Sequence, residues 1–263
     1  RARDVRGTLQ AHVTGLLAWR EPQRTQAHVS AQVNNGHVAL GRFEWPIQTL
    51  QVASQIRAGE VTADYAGALL GGEVSGSAQL APGPPKTFTL NWNAAGLQLE
   101  QMLRVAEGRR SGHSGRIVSS GTISWQAGAW PASLSGSGTL RITQGRLIDL
   151  PVIRDVLALV ARTRLGSRLT SLDSADASFS IHPDHVYLSR ADIITVLAAL
   201  YGRGRVYYDK RLDLDVRASP LGELQRLTGR IGEALGRLTG DIITYKVHGT
   251  IARPVIRPVP LGL

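Results

Sequence analysis

Apolar residues fall at every second position for four to seven residues at a time along most of the chain, and a Gly or another turn residue then interrupts them. "GTLQAHVTGLLAW" (7–19), "TQAHVSAQVNNGHVALGRF" (25–43), "GEVTADYAGALLGGEVSGSAQL" (59–80), "TFTLNWNAAGLQL" (87–99) and "GRIVSSGTISW" (115–125) all have this texture. A period of two is the mark of a strand with one apolar and one polar face. Many such strands in succession predict an antiparallel meander. The Asn35-Gly36 pair between two alternating runs reads as a hairpin turn, because both central residues of a type I′ turn need positive φ. No repeat of fixed period is present, which disfavours a propeller or a regular β-helix.

Three segments leave the pattern. "LQLEQMLRVAE" (97–107) reads as a short helix before a polar loop (108–116). Pro151 suits a first helical position, and Val152, Ile153, Val156, Leu157 and Val160 recur at helical spacing, so a helix is expected near 151–165. A third helix is expected over 220–238, with Ser219 as cap, Pro220 in the first turn, and Leu221, Leu224, Leu227, Ile231, Leu235 and Leu238 on one stripe. Its four glycines each cost about 1 kcal/mol relative to Ala, so it needs a surface to lie on. Between the last two helices come strands at 177–189, 192–200, 204–209 and 211–217. The last of these sets Leu212, Leu214 and Val216 against Arg211, Asp213, Asp215 and Arg217. A final strand (242–256) alternates Ile243, Tyr245, Val247 and Ile251 with polar residues, and Pro254, Pro258 and Pro260 are expected to end regular pairing.

Composition narrows the picture only in places. The chain opens at Arg1, carries no signal-peptide pattern and no apolar run of about 18 residues, and so reads as a soluble piece with any anchor outside it. The absence of cysteine excludes disulfides and thiolate metal sites. The net charge of +10 is spread along the chain, +4 over residues 1–135 and +6 over 136–263. A solvated basic surface explains that distribution, with an anionic phospholipid surface the next account.

The order "GSGTLRITQGRLIDLPVI" (136–153), "FSIHPDHVYLS" (179–189), "GRGRVYYDKRLDLDV" (202–216), a helical insert and "YKVHGTIARPVIRPVPL" (245–261) resembles the C-terminal region of AsmA-like proteins of the bacterial envelope, the group of AsmA, TamB and YhdP. Residues 204–216 and 247–258 match most closely, and "HPDH" (182–185) departs from the usual Asp-Gly turn. The resemblance covers 136–263, whereas 1–135 shares only the meander texture. It implies an open, curved antiparallel sheet, mostly β, forming a groove with two or three short helices on it or at one end. Residues 1–135 would extend the groove of an AsmA-like domain at 136–263. It further implies a periplasmic or envelope location and a role in carrying phospholipid between membranes during outer-membrane biogenesis, without catalysis and without a cofactor. The expected partners are phospholipid or another acyl-chain lipid, a membrane surface and envelope proteins, not nucleic acid. The residues expected to line the groove are Leu140, Ile142, Phe179, Ile181, Leu212, Leu214, Val216, Tyr245 and Val247. Val156, Leu157, Val160, Leu224, Leu227 and Ile231 are expected on the capping helices.

The remaining candidates read as structural. His182 and His185 in "HPDH" have no third ligand nearby, so a turn explains them better than a metal. His113 lies in the polar loop. "GRGR" (202–205) lacks the Lys-Ser/Thr of a phosphate loop and reads as a turn. Asp209, Asp213 and Asp215 are accounted for by a charge ladder with Arg211 and Arg217. Trp19, Trp45, Trp92, Trp125 and Trp130 are not interleaved with basic residues as nucleic-acid stacking platforms would be. The rival to the lipid reading is an assembly domain of the envelope whose apolar face is closed as core and which contacts proteins.

Overall fold

The computed structural model describes residues 2–16, 18, 24–40, 43–107, 114–147, 151–160, 173–195, 198–220 and 243–259. Fourteen strands form one open antiparallel sheet in strict chain order, not closed into a barrel. They are β1 (Ala2–Leu16), β2 (Gln26–Leu40), β3 (Phe43–Arg57), β4 (Glu60–Leu69), β5 (Gly72–Ala81), β6 (Thr87–Gln98), β7 (Arg116–Gln126) and β8 (Ser135–Gly145). After them come β9 (Asp173–Ile181), β10 (His185–Ile194), β11 (Ala198–Tyr207), β12 (Leu212–Pro220), β13 (Ile243–Thr250) and β14 (Arg253–Val259). Two helices are described, α1 (Leu99–Glu107) after β6 and α2 (Pro151–Val160) after β8. The chain divides into two compact units, Arg1–Ser111 with Arg116–Gly138, and Gly112–Gly115 with Thr139–Leu263.

Alternation holds strand by strand, and its phase is shifted by bulges. Asn35 does have φ of +49°, but β2 runs straight through Asn35-Gly36, so the hairpin expected there is a bulge instead. Opposite it on β1 the register changes between Arg6 and Thr8, so one extra residue of β2 is accommodated. In β6 the same device lies between Ala94 and Leu97, with Gly96 at φ +71°. It turns Leu97 onto the face of Ala94, and both are buried.

The tight hairpins of the first unit sit elsewhere. Ala58-Gly59 and Leu70-Gly71 each take two successive positive φ values, the conformation of a type I′ turn. Leu is a poor residue for left-handed backbone. Leu70 stays there because its side chain is 1 % exposed and its carbonyl accepts the Gln98 N–H at 2.9 Å. Around it Leu97, Leu99 and Ile117 are also buried. Helix α1 contacts both β3 and β6 beside this cluster, and a Glu100–Arg104 pair at 2.9 Å bridges one of its turns. Leu70→Ala leaves the backbone strain and removes the packing that offsets it. We expect a loss of about 2–5 kcal/mol in urea-unfolding stability.

In the second unit, several boundaries differ from the sequence expectation. The segment 192–200 is two strands, with β10 ending at Ile194 and the Thr195 N–H donating to the Ala198 carbonyl at 3.0 Å. "GRGR" is strand interior, not a turn: a Cβ on Gly204 would lie 2.2 Å from the Asp213 carbonyl oxygen, so the close approach of β12 requires glycine there. The segment 242–256 is a hairpin, with Ile251-Ala252 between β13 and β14. Pro254 and Pro258 pair within β14 instead of ending it. That is tolerated because β14 is an edge strand, where a residue without an N–H costs no ladder bond on the outer side. Ser219 and Pro220 pair with Ala199 and Ala198 in the sheet and do not open a helix. The helix expected over 220–238 otherwise lies outside the described residues, as do residues 161–165 and the loop at 108–113. Helix α1 begins at Leu99, because Leu97 and Gln98 still belong to β6.

Candidate functional site: the apolar sheet face

In the first unit, register rows carry the apolar side chains across the sheet. One row joins Val52, Tyr65, Gly76, Trp92 and Gly121 over β3–β7. Two aromatic rings lie flat over its glycines. A Cβ on Gly121 would be 2.4 Å from the Trp92 ring, and one on Gly76 would be 2.6 Å from the Tyr65 hydroxyl. Both rings are tied down: the Trp92 indole N–H donates to Ser119 Oγ at 3.1 Å, and the Tyr65 hydroxyl donates to the Asn91 carbonyl at 2.8 Å. Burial raises the Tyr65 pKa above the usual tyrosine value. The next row joins Ser54, Ala63, Ala78, Leu90 and Ile123.

Val52, Tyr65, Leu90, Trp92 and Ile123 are all half-exposed. The α1 cluster bounds this face at one end of the strands. At the other end Phe88 stacks on Trp125 at 5.2 Å and Trp130 meets Trp125 edge-on at 5.8 Å. Trp45 is half-buried in β3, and Trp19 lies outside the described residues. The concavities on this unit belong to the other face. A shallow depression of about 670 Å³ over β1–β4 is lined by Gln10, His12, Gln32, Gln51 and Asp64, and one of about 390 Å³ includes Gln51, Glu73 and Asn93. Their amides, imidazole and carboxylates offer hydrogen bonds, set among alanines such as Ala53 and Ala66.

In the second unit the apolar face is packed. Helix α2 contacts β12 and β14, with Ile153, Val156 and Leu157 buried. Leu214 pairs with Val247, and Val216 with Tyr245. All four are buried, as are Leu212 and Ile142. Six of the nine residues expected along a groove are therefore buried in this unit, and the helix begun at Pro151 contacts β12, the strand that carries three of them, Leu212, Leu214 and Val216. Leu140, Phe179 and Ile181 are half-exposed. The Val160 side chain, Leu224, Leu227 and Ile231 lie outside the description. Asp173, 2 % exposed, accepts the Leu147 N–H at 2.8 Å beside this core.

The polar face of the second unit is a cross-strand charge ladder. Asp213 faces Arg205 at 3.8 Å and His248 at 3.7 Å, while Asp215 faces Arg203 at 3.9 Å and Lys246 at 2.5 Å. The partners come from β11 and β13 and not, as the sequence order suggested, from Arg211 and Arg217. Arg211 pairs with Asp209 at 2.6 Å and lies 4.7 Å from the centre of the Tyr207 ring. His182 and His185 stack at 4.6 Å across the β9–β10 turn. The hydrogen bond between His185 Nδ1 and the carboxylate holds Asp184 below the usual carboxylate range, and the bonds from Arg211 do the same for Asp209. Among the described residues no group of three or more His, Asp or Glu is arranged to hold a metal ion.

The site is thus a face and not a constellation of reactive groups. In the first unit that face is half-open; in the second, by itself, the corresponding residues of β12 and β13 are buried and α2 contacts β12 and β14. No protein-family model, no curated protein and no solved structure matches the chain.

Proposed function

We propose that the chain is a lipid-handling segment of a bacterial envelope protein, working in the periplasm. The apolar face of the first unit shields phospholipid acyl chains while head groups stay in water. The supporting observation is the pair of register rows containing Val52, Tyr65, Trp92, Leu90 and Ile123, which remain half-exposed with α1 confined to one end. Monomeric proteins rarely leave a contiguous apolar surface of more than a few hundred Å² in water. Acyl chains suit such a surface, because each CH₂ removed from water contributes about 0.8 kcal/mol without fixing a direction. Burial of this kind binds hydrocarbon and lets it slide, and it calls for no catalytic group. The resemblance of residues 136–263 to the AsmA-like C-terminal region points the same way.

The burial of Leu214, Val216, Tyr245 and Val247 favours a second reading for residues 139–263: a closed domain whose apolar face is core and which offers its charged side to envelope proteins. The deciding experiment is purification without detergent, then native mass spectrometry and lipid extraction. Phospholipid at reproducible stoichiometry is the expected result. A lipid-free mass with a cooperative thermal transition would leave the assembly reading alone.

A further inference from the structure

The turns at one end of the first unit's strands are built from residues that turns seldom combine. The β5–β6 turn runs Pro-Gly-Pro-Pro over 82–85, and the β7–β8 turn runs Ala-Gly-Ala-Trp-Pro-Ala over 127–132. Neither stretch holds a charged, amide or hydroxyl side chain. Turns lie in water and are ordinarily polar. Those of the second unit keep to that rule, with His-Pro-Asp-His at 182–185 and Tyr-Asp-Lys-Arg at 208–211.

The two apolar stretches meet. The Ala127 N–H donates to the Lys86 carbonyl at 2.8 Å, and the β3–β4 turn adjoins them, since a Cβ on Gly59 would lie 3.8 Å from Pro82 Cβ. Pro82, Pro84, Pro85, Trp130, Pro131 and Ala132 are all exposed. Trp130, at 60 %, stands on an ordered loop. The Ser133 N–H donates to the Ala129 carbonyl at 2.8 Å and the Leu134 N–H to the Pro131 carbonyl at 2.9 Å. Leu134 is turned inward at 5 % exposure, so this loop buries its leucine and presents its tryptophan. Two exposed cations flank the patch, Lys86 directly after the prolines and Arg57 directly before Ala58-Gly59. Glu60, the one acid of these three turns, is half-buried and accepts from the Gln79 amide at 2.6 Å.

We infer that this rim is a bilayer-docking site. Trp130 and the prolines enter the boundary between head groups and acyl chains, and Lys86 and Arg57 meet the phosphates of anionic lipid. An exposed apolar patch rimmed by charge marks a contact with a protein or a membrane. Protein interfaces carry about one hydrogen bond per 100–200 Å². The only side-chain donor in the two stretches is the Trp130 indole N–H, and Pro82, Pro84, Pro85 and Pro131 lack a backbone N–H as well. A bilayer asks for no such bonds. Its interface takes up tryptophan, whose ring is apolar while its N–H stays hydrated, and its phosphates attract cations. The inference does not rest on acyl chains lying on the sheet face.

The test floats the 263-residue chain with vesicles of phosphatidylcholine, alone or mixed with an equal part of phosphatidylglycerol. The chain should float with both and bind the mixed vesicles more tightly. Trp130→Ser should weaken binding to both about tenfold. Lys86→Glu should weaken binding to the mixed vesicles about tenfold and leave the neutral ones nearly unchanged. Val118→Ser, which alters an exposed apolar residue near the opposite end of β7, should bind as the parent does. All three positions are exposed, so the fold is retained, and a circular-dichroism spectrum checks it. No flotation with either vesicle overturns the docking site and leaves the rim to a protein partner. Parent-like flotation of Trp130→Ser, or an equal loss in Val118→Ser, overturns it too. Lipid extracted from the detergent-free chain reads the sheet face and flotation reads the rim, so either proposal can fail while the other stands.

Discussion

Leu214→Asp is expected to unfold the second unit, with amide protection lost from β11 to β13. Leu214 is 8 % exposed and pairs with Gly204 on one side and with Val247, 0 % exposed, on the other. Its strand is one that α2 contacts. The substitution forfeits about 1.5–3 kcal/mol of buried leucine. It also places a carboxylate among Val, Tyr and Leu with no cation on that face among the described residues, and a buried unpaired charge costs several kcal/mol more. The sum is comparable to the whole stability of a typical domain, about 5–15 kcal/mol. Asp215→Asn, one residue away, is the control. It points to the other face, where loss of its pairs with Lys246 and Arg203 should cost under about 1 kcal/mol. Hydrogen exchange and urea unfolding of the two variants read the difference directly. Near-normal protection in Leu214→Asp would mean that α2 does not seal this face in solution.

Val52→Asp combined with Leu90→Asp should do the reverse, sparing the fold and removing the lipid. Both side chains are half-exposed on neighbouring register rows of the first unit, so each new carboxylate keeps much of its hydration. In a lipid-bearing face the same two carboxylates would have to be dehydrated against hydrocarbon. A penalty of only about 1.4 kcal/mol at each would weaken lipid affinity roughly a hundredfold. Native mass spectrometry of the detergent-free protein should then show the bare chain, with its melting temperature within a few degrees of the parent. Retained lipid would place the acyl chains elsewhere. An unfolded variant would show that this face, too, is core.

The two variants behave oppositely although both replace an alternating apolar residue by Asp, and the alternation does not distinguish them. Period-two patterning is a property of neighbours along one chain. The faces of β12 were legible from Leu212, Leu214 and Val216 against Asp213 and Asp215, and helix α2 from Pro151 and the spacing of Ile153, Val156 and Leu157. Positive φ at Asn35 was legible too, since Asn tolerates it. Whether that residue turns the chain back or bulges one strand depends on what its flanks pair with, and those partners lie on β1 and β3. The turn at Leu70 was hidden, because a leucine is held in left-handed backbone by a cluster that forms only when β6 and β7 are in place. The charge ladder likewise needed the register of β11, β12 and β13, which brings Arg205, Asp213 and His248 together from three separate strands. Which part of an apolar face becomes core is the most non-local question of all. It is answered by where a helix lands, and α2 rests on β12 and β14, strands that follow it by some fifty residues or more and whose own sequences say only that one side avoids water.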